Sequence, residues 1–193
     1  CEGQEIAAFK GCVEKGSVVY IFQRKAYSSL ENTLLLDKFR DLRAIKRAVV
    51  MLKILDKVIR LHKKQIIHSD IKPANIVAKD SDLQEFELID LGMAGFENSD
   101  FRGGSKVYLP PEIRTLPKIL TPQLDVYSLA ITLLNIEGEF HYFYESLDSD
   151  CFKKRLTFDC HKQLLEGVPD ILSHKRGLGH LIPVFNRALA FRR

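Results

Sequence analysis

Apolar and polar positions along this chain change period several times, and each change marks an expected element. Residues 6–13 and 17–22 are short runs rich in β-branched and aromatic side chains, expected as two strands, with Glu14-Lys15-Gly16 as the hairpin turn between them. Residues 28–44 are expected to hold a short helix beginning near Ser29, with Asn32 and Thr33 as capping candidates. Residues 45–62 repeat apolar side chains at helical spacing, and Ile45, Val49, Leu52, Leu55 and Ile59 are expected to form the apolar face. The opposite face is basic. From residue 34 to 64, Lys38, Arg40, Arg43, Lys46, Arg47, Lys53, Lys57, Arg60, Lys63 and Lys64 stand against Asp37, Asp41 and Asp56. A solvated face is the plain reading, and a docking surface for an acidic partner is the alternative.

Further on, residues 76–78 and 86–89 form short apolar runs joined by a polar turn over residues 79–85, a second expected hairpin. Residues 93–111 are rich in glycine and polar side chains and read as a mobile, surface-facing segment. From Asp125 a helix follows with Val126, Leu129, Ala130, Ile131, Leu133, Leu134 and Ile136, apolar on nearly every side, which belongs in the middle of a domain. Beyond Gly138 the pattern weakens, with a loop expected over residues 140–150 and helices over 151–166 and 181–191.

Composition narrows the class. With 193 residues and 46% hydrophobic content, the chain can bury one sizeable core. No apolar run reaches membrane-spanning length, and no basic-then-apolar leader opens the chain, so no membrane partner is expected. Cys1, Cys12, Cys151 and Cys160 have neither paired nor regular spacing, which suggests reduced thiols in an intracellular, cytoplasmic setting. His141, His161, His174 and His180 lack metal-ligand spacing. The net charge of +4 is modest, and without an aromatic-plus-basic motif no nucleic-acid partner is expected.

The chemistry concentrates in His68-Ser69-Asp70-Ile71-Lys72-Pro73-Ala74-Asn75, a loop between an expected helix and an expected strand. It sets an acid, a cation two residues on, a proline, and an amide five residues after the acid. Phosphoryl transfer needs mostly positioning and charge neutralisation. Asp70 could accept a hydroxyl proton, Lys72 could lie against phosphate oxygens, and Asn75 could hold a magnesium ion. The second hairpin would return Asp90 beside Asn75, so that two oxygen ligands distant in sequence converge on one hard cation. Three further stretches follow in order: Asp90-Leu91-Gly92, residues 104–112 ending in Pro110-Pro111-Glu112, and Asp125-Val126-Tyr127-Ser128-Leu129-Ala130.

Together these four stretches resemble the eukaryotic-type serine/threonine protein kinase family. The resemblance implies an α+β, protein-kinase-like fold: a mainly α-helical C-lobe with a small remnant of the N-lobe β-sheet. Residues 1–22 would be N-lobe strands, 23–28 the hinge and 29–193 the C-lobe, a partial domain incomplete at its N-terminus and, in this reading, at its C-terminus. It implies ATP and Mg2+ as cofactors, with Asp70 and Lys72 catalytic and Asn75 and Asp90 on the metal. Phe22 would be the gatekeeper, the backbone of Gln23, Arg24 and Lys25 would meet the adenine edge, and Val77 would pack beneath the ring. His68, Leu91 (replacing the usual phenylalanine), Gly92, Ser105, Glu112 and Asp125 would be structural, with Ser105 touching the catalytic acid and lysine. Asp125 would bond backbone amides of the catalytic loop, and Glu112 would lack the arginine that usually pairs with it. Lys72-Pro73 and Ser105 imply a protein substrate with a serine or threonine acceptor, and Ala74 with the basic helices implies a neutral or acidic one.

The departures from the family pattern are as informative. No glycine-rich phosphate loop, anchoring lysine strand or glutamate helix precedes Asp70 in these residues, which makes a truncated, inactive binding module the alternative. A small-molecule phosphotransferase is a further one, disfavoured by Lys72 and by the Pro-Pro-Glu segment. Ser69 stands where many members carry an arginine that clamps a phosphorylated activation segment. A serine cannot form that clamp, so activity is expected not to depend on such phosphorylation.

Overall fold

The computed structural model describes residues 9–34, 39, 42, 44–114, 118–136, 183 and 187–188. Strands β1 (Phe9–Lys15) and β2 (Val18–Gln23) form an antiparallel hairpin. Its turn is the pair Gly16-Ser17, so Glu14 and Lys15 lie in the strand rather than in the turn expected from the sequence. Gly16 takes a φ of 65°, a left-handed conformation open to glycine without a Cβ penalty. All six side chains of β2 are exposed, so neither face of this hairpin is packed among the described residues.

After a short extended segment, β3 (Ser28–Ser29) leads directly into α1 (Leu30–Leu34). Ser29 is the cap: its Oγ accepts from Asn32 N at 3.2 Å, satisfying one of the helix's orphan amides. Asn32 and Thr33, the expected capping candidates, lie inside the helix instead. The buried Thr33 hydroxyl donates back to Ser29 O at 2.8 Å.

The 20-residue α2 (Ala44–Lys63) is the long helix expected from the spacing, but it buries a different face. Val50, Met51, Ile54, Val58 and Leu61 are buried, whereas Ile45 is 71% and Leu52 63% exposed, and Val49, Leu55 and Ile59 are also exposed. The helix carries two apolar stripes. The one facing the domain is chosen by what it meets: Leu30 of α1, Ile71, and the second hairpin with Ile76 and Phe86. This cluster is the main core. Two residues beyond the end of α2, Gln65 takes a φ of 58° and turns the chain out of the helix in a left-handed conformation.

The second hairpin, β5 (Ile76–Ala78) and β6 (Phe86–Leu88), pairs with β3 in a three-stranded antiparallel sheet of order β3-β5-β6. All three residues of β5 are buried. The turn is closed by Asp80, which accepts from Gln84 N and Glu85 N, and by Lys79 between Glu85 and Glu87 at 2.7 and 2.9 Å. A two-stranded ribbon joins β4 (Ile66–Ile67) to β7 (Gly95–Phe96), which ties the end of α2 to the segment after Asp90.

Helix α3 (Pro122–Ile136) is buried over most of its surface, as its nearly uniform apolar sequence requires. Among the described residues no helix is long and apolar enough to cross a membrane. The helices expected over residues 151–166 and 181–191 lie largely outside the described residues.

Candidate active site

The loop between β4 and β5 is built on strained backbone. Ser69 has a φ of 67°, a conformation that L-residues other than glycine adopt rarely. Two bonds from the neighbouring helix hold it there. Asp125, fully buried in the first turn of α3, accepts from His68 N through Oδ2 and from Ser69 N through Oδ1, each at 2.8 Å. His62 Nε2 donates to the same Oδ2 at 2.9 Å. A buried carboxylate without such partners would be costly; here it is matched by two amides and an imidazole, and it anchors the loop to the centre of the domain.

His68 links the loop to the second hairpin. Its Nε2 reaches Ile89 O at 3.1 Å, and its Nδ1 accepts from Asp70 N at 3.3 Å. A carbonyl can only accept and an amide only donate, so the ring is the neutral tautomer protonated on Nε2. Burial lowers its pKa from the usual histidine value, against opposing contributions from Asp125 and the Ile89 carbonyl. One side chain thus sets the spacing between Asp70 and the strand end that precedes Asp90. The backbone adds a second tie, Ile89 N to Asn75 O at 2.9 Å.

Asp70 is nearly buried and each carboxylate oxygen is claimed. Oδ1 accepts from Ser105 N at 2.7 Å; Oδ2 accepts from Lys72 Nζ at 2.8 Å and from Asn75 Nδ2 at 2.9 Å. Burial alone would raise its pKa, but the hydrogen bonds from Lys72 and Ser105 outweigh burial and hold the carboxyl below the usual carboxylate range. Lys72 Nζ also donates to Ser105 Oγ at 2.8 Å. An acid, a cation, an amide and a hydroxyl from two separate stretches therefore form one closed network.

The oxygen ligands expected for a cation are placed as follows. Asn75 Nδ2 donates to both Asp70 O and Asp70 Oδ2 at 2.9 Å, which turns its carbonyl oxygen away from Asp70. Asp90 is exposed, has a φ of 62°, and accepts from Gly92 N through Oδ1 at 3.3 Å. A carboxylate and an amide oxygen on adjoining strand ends suit a hard divalent cation that keeps much of its water shell. Leu91 is half-buried in the turn Leu91–Met93, and Gly92 is exposed there.

The remaining expected site residues lie apart from this network. Val77 is buried in β5. Phe22 is 53% exposed at the end of β2, and Gln23 and Lys25 are exposed beside it. Glu112 is half-buried in the turn Pro111–Arg114 and has an interaction of its own; the stretch near which its usual arginine would stand, residues 189–193, lies outside the described residues. Two residues that the sequence did not single out for this role complete the site. Ser128 Oγ contacts Tyr108 O at 2.7 Å and Leu124 O at 2.9 Å, fixing the far end of the segment that carries Ser105. His62 supports Asp125; it lies six residues before His68, and only the fold reveals the contact.

Comparison with known proteins gives the class of domain to which these residues belong. The protein kinase domain family matches residues 1–173, and the chain belongs to that family. It is 30% identical over 146 residues to rat mitogen-activated protein kinase kinase kinase 8, covering 69% of this chain and 29% of that protein. It is 24% identical over 149 residues to the serine/threonine-protein kinase pakG of Dictyostelium discoideum, covering 75% of this chain and 12% of that protein. Among solved structures, the yeast RNA Pol II CTD kinase CTDK-1 complex includes a chain that superposes with a TM-score of 0.60 at 21% identity, covering 70% of this chain and 45% of that one. The chain thus spans under a third of these curated relatives and about half of the solved neighbour, and the fold is the α+β protein kinase fold.

Proposed function

We propose that this chain carries the catalytic loop and activation segment of a serine/threonine protein kinase, which transfers the γ-phosphoryl group of ATP to a protein hydroxyl. The observation that carries the reading is the Asp70–Lys72–Asn75–Ser105 network. Asp70 orients the acceptor hydroxyl. A carboxyl held below its usual range is a weak base, so it takes the proton late, once the bond from acceptor oxygen to phosphorus is forming and the bond to the leaving phosphate is breaking. Lys72, already paired with Asp70, offsets charge on the transferred group. Magnesium held by Asn75 and Asp90 would neutralise the phosphates when bound. Val77 and the backbone of residues 23–25 would meet the adenine, with Phe22 beside it.

Serine or threonine as acceptor is supported by the Lys72–Ser105 contact, by Lys72-Pro73, and by the likeness to pakG, which is named a serine/threonine kinase. The test is phosphotransfer to serine, threonine and tyrosine peptides by the intact protein and its Asp70→Asn variant. The variant should lose transfer while retaining magnesium-dependent nucleotide binding; loss of both, or preference for tyrosine, would refute the assignment. Residues 1–193 alone contain no glycine-rich phosphate loop, and are expected to bind nucleotide weakly and to transfer negligibly.

A further inference from the structure

We propose that Ser69 and Gly104 form a phosphate-free staple between the catalytic loop and the activation segment, with Ser69 as a positioning residue for Asp70. The kinetic consequence rests on the kinase reading above; the contact itself does not. Ser69 is fully buried, and its Oγ donates to Gly103 O at 2.9 Å. At its φ of 67° glycine would be the relaxed choice, so what serine adds to the position is the hydroxyl, and the hydroxyl is spent on the segment.

The next residue completes the contact from the other side. Gly104 lies so close to the Ser69 carbonyl that a Cβ built on it would collide with that oxygen. The collision is with backbone, which cannot swing aside. Ser105 follows immediately, with its amide on Asp70 Oδ1 at 2.7 Å and its hydroxyl on Lys72 Nζ at 2.8 Å. Residues 69–72 and 103–105 are therefore zipped by successive contacts: Ser69 to Gly103, Asp70 to Ser105, Lys72 to Ser105. The first is neutral and needs no added charge. Its role is to bring the Ser105 amide into register with Asp70, so that the acid is aimed before any substrate arrives.

Hydrogen exchange of the intact protein tests the contact without requiring activity. Ser69→Gly removes the hydroxyl but relieves the left-handed strain, so global stability should hold or rise. The Ser105 amide should nevertheless exchange about 2- to 10-fold faster, the scale of one net neutral hydrogen bond. Ser69→Ala and Gly104→Ala should loosen the same amide, the latter by forcing the two backbones apart. In phosphotransfer, Ser69→Gly should lower kcat on the order of 10-fold with KM for ATP unchanged, because the acceptor side loses its alignment. Unchanged Ser105 exchange in both Ser69 variants would overturn the staple. A fall in thermal midpoint parallel to the exchange would reduce Ser69 to a structural role, and a KM effect without a kcat effect would overturn its positioning role. Faster exchange in a protein whose wild type transfers no phosphate would support the staple and refute the kinase reading instead.

Discussion

Replacing Asp125 isolates the strut on which the site stands. Its carboxylate takes the amides of His68 and Ser69 at 2.8 Å each and His62 Nε2 at 2.9 Å. In Asp125→Ala both backbone amides lose their acceptor inside a region closed to water, at about 1–3 kcal/mol each. Half-exposed His62 can turn to solvent and adds little. The expected loss is about 4 kcal/mol, a large part of the roughly 5–15 kcal/mol that holds a typical domain together. With a urea m-value of about 2 kcal/mol/M, the unfolding midpoint should fall by about 2 M. Asp125→Asn keeps one acceptor oxygen but presents a donor to the second amide, so it should lose about half as much. His62→Ala should cost below about 1 kcal/mol. Urea unfolding followed by circular dichroism separates the three. Equal losses in all of them, or an alanine shift under about 0.5 M, would refute the argument that amide orphaning dominates.

Three further outcomes follow from other parts of the molecule. Ile54→Ala, on the buried stripe of α2, should destabilise by about 2–5 kcal/mol, whereas Leu52→Ala, on the exposed stripe, should stay within about 0.5 kcal/mol; comparable losses in denaturant unfolding would contradict the burial assigned here. Because burial lowers the His68 pKa, the unfolded chain binds the proton more readily, so this group's contribution should be complete above the unfolded value of about 6.5 and shrink as pH falls through it towards the folded pKa. His68→Gln should flatten that part of a stability–pH curve, and an unaltered slope would count against it. Phosphatase treatment of the intact protein, or Ser99→Ala, should leave turnover nearly unchanged; a large loss restored by rephosphorylation would show that a charge clamp operates after all.

What could be read from the sequence depended on how local each feature is. The loop from His68 to Asn75 stood out because four residues, Asp70, Lys72, Pro73 and Asn75, sit within it at a characteristic spacing. The long helix was legible as a helix, but not in its orientation. Its period admits both the stripe with Leu52 and the stripe with Ile54, and only the surfaces supplied by Leu30, Ile71 and Phe86 decide between them. The return of Ser105 to Asp70 spans 35 residues and was expected through family resemblance, since no periodicity encodes it. The Ser69–Gly103 bond was not legible at all. It depends on a left-handed φ at a serine, which the side-chain pattern does not announce, and Ser69 read as a missing cation rather than as a donor.

Asp125 and Ser128 both project from α3, one on the catalytic loop and the other on the carbonyl of Tyr108. Three residues apart, they are separated along the helix axis by about 4.5 Å. The loop bearing the acid and the segment bearing Ser105 are thus gauged from a common datum. If the rod tilts or shifts as a rigid body, both parts travel with it, and the error between them cancels to first order. A site assembled from two independently mounted loops would add their errors instead. The stiffness of a single helical turn thus adds to the direct contacts between loop and segment in holding the two parts at a fixed separation.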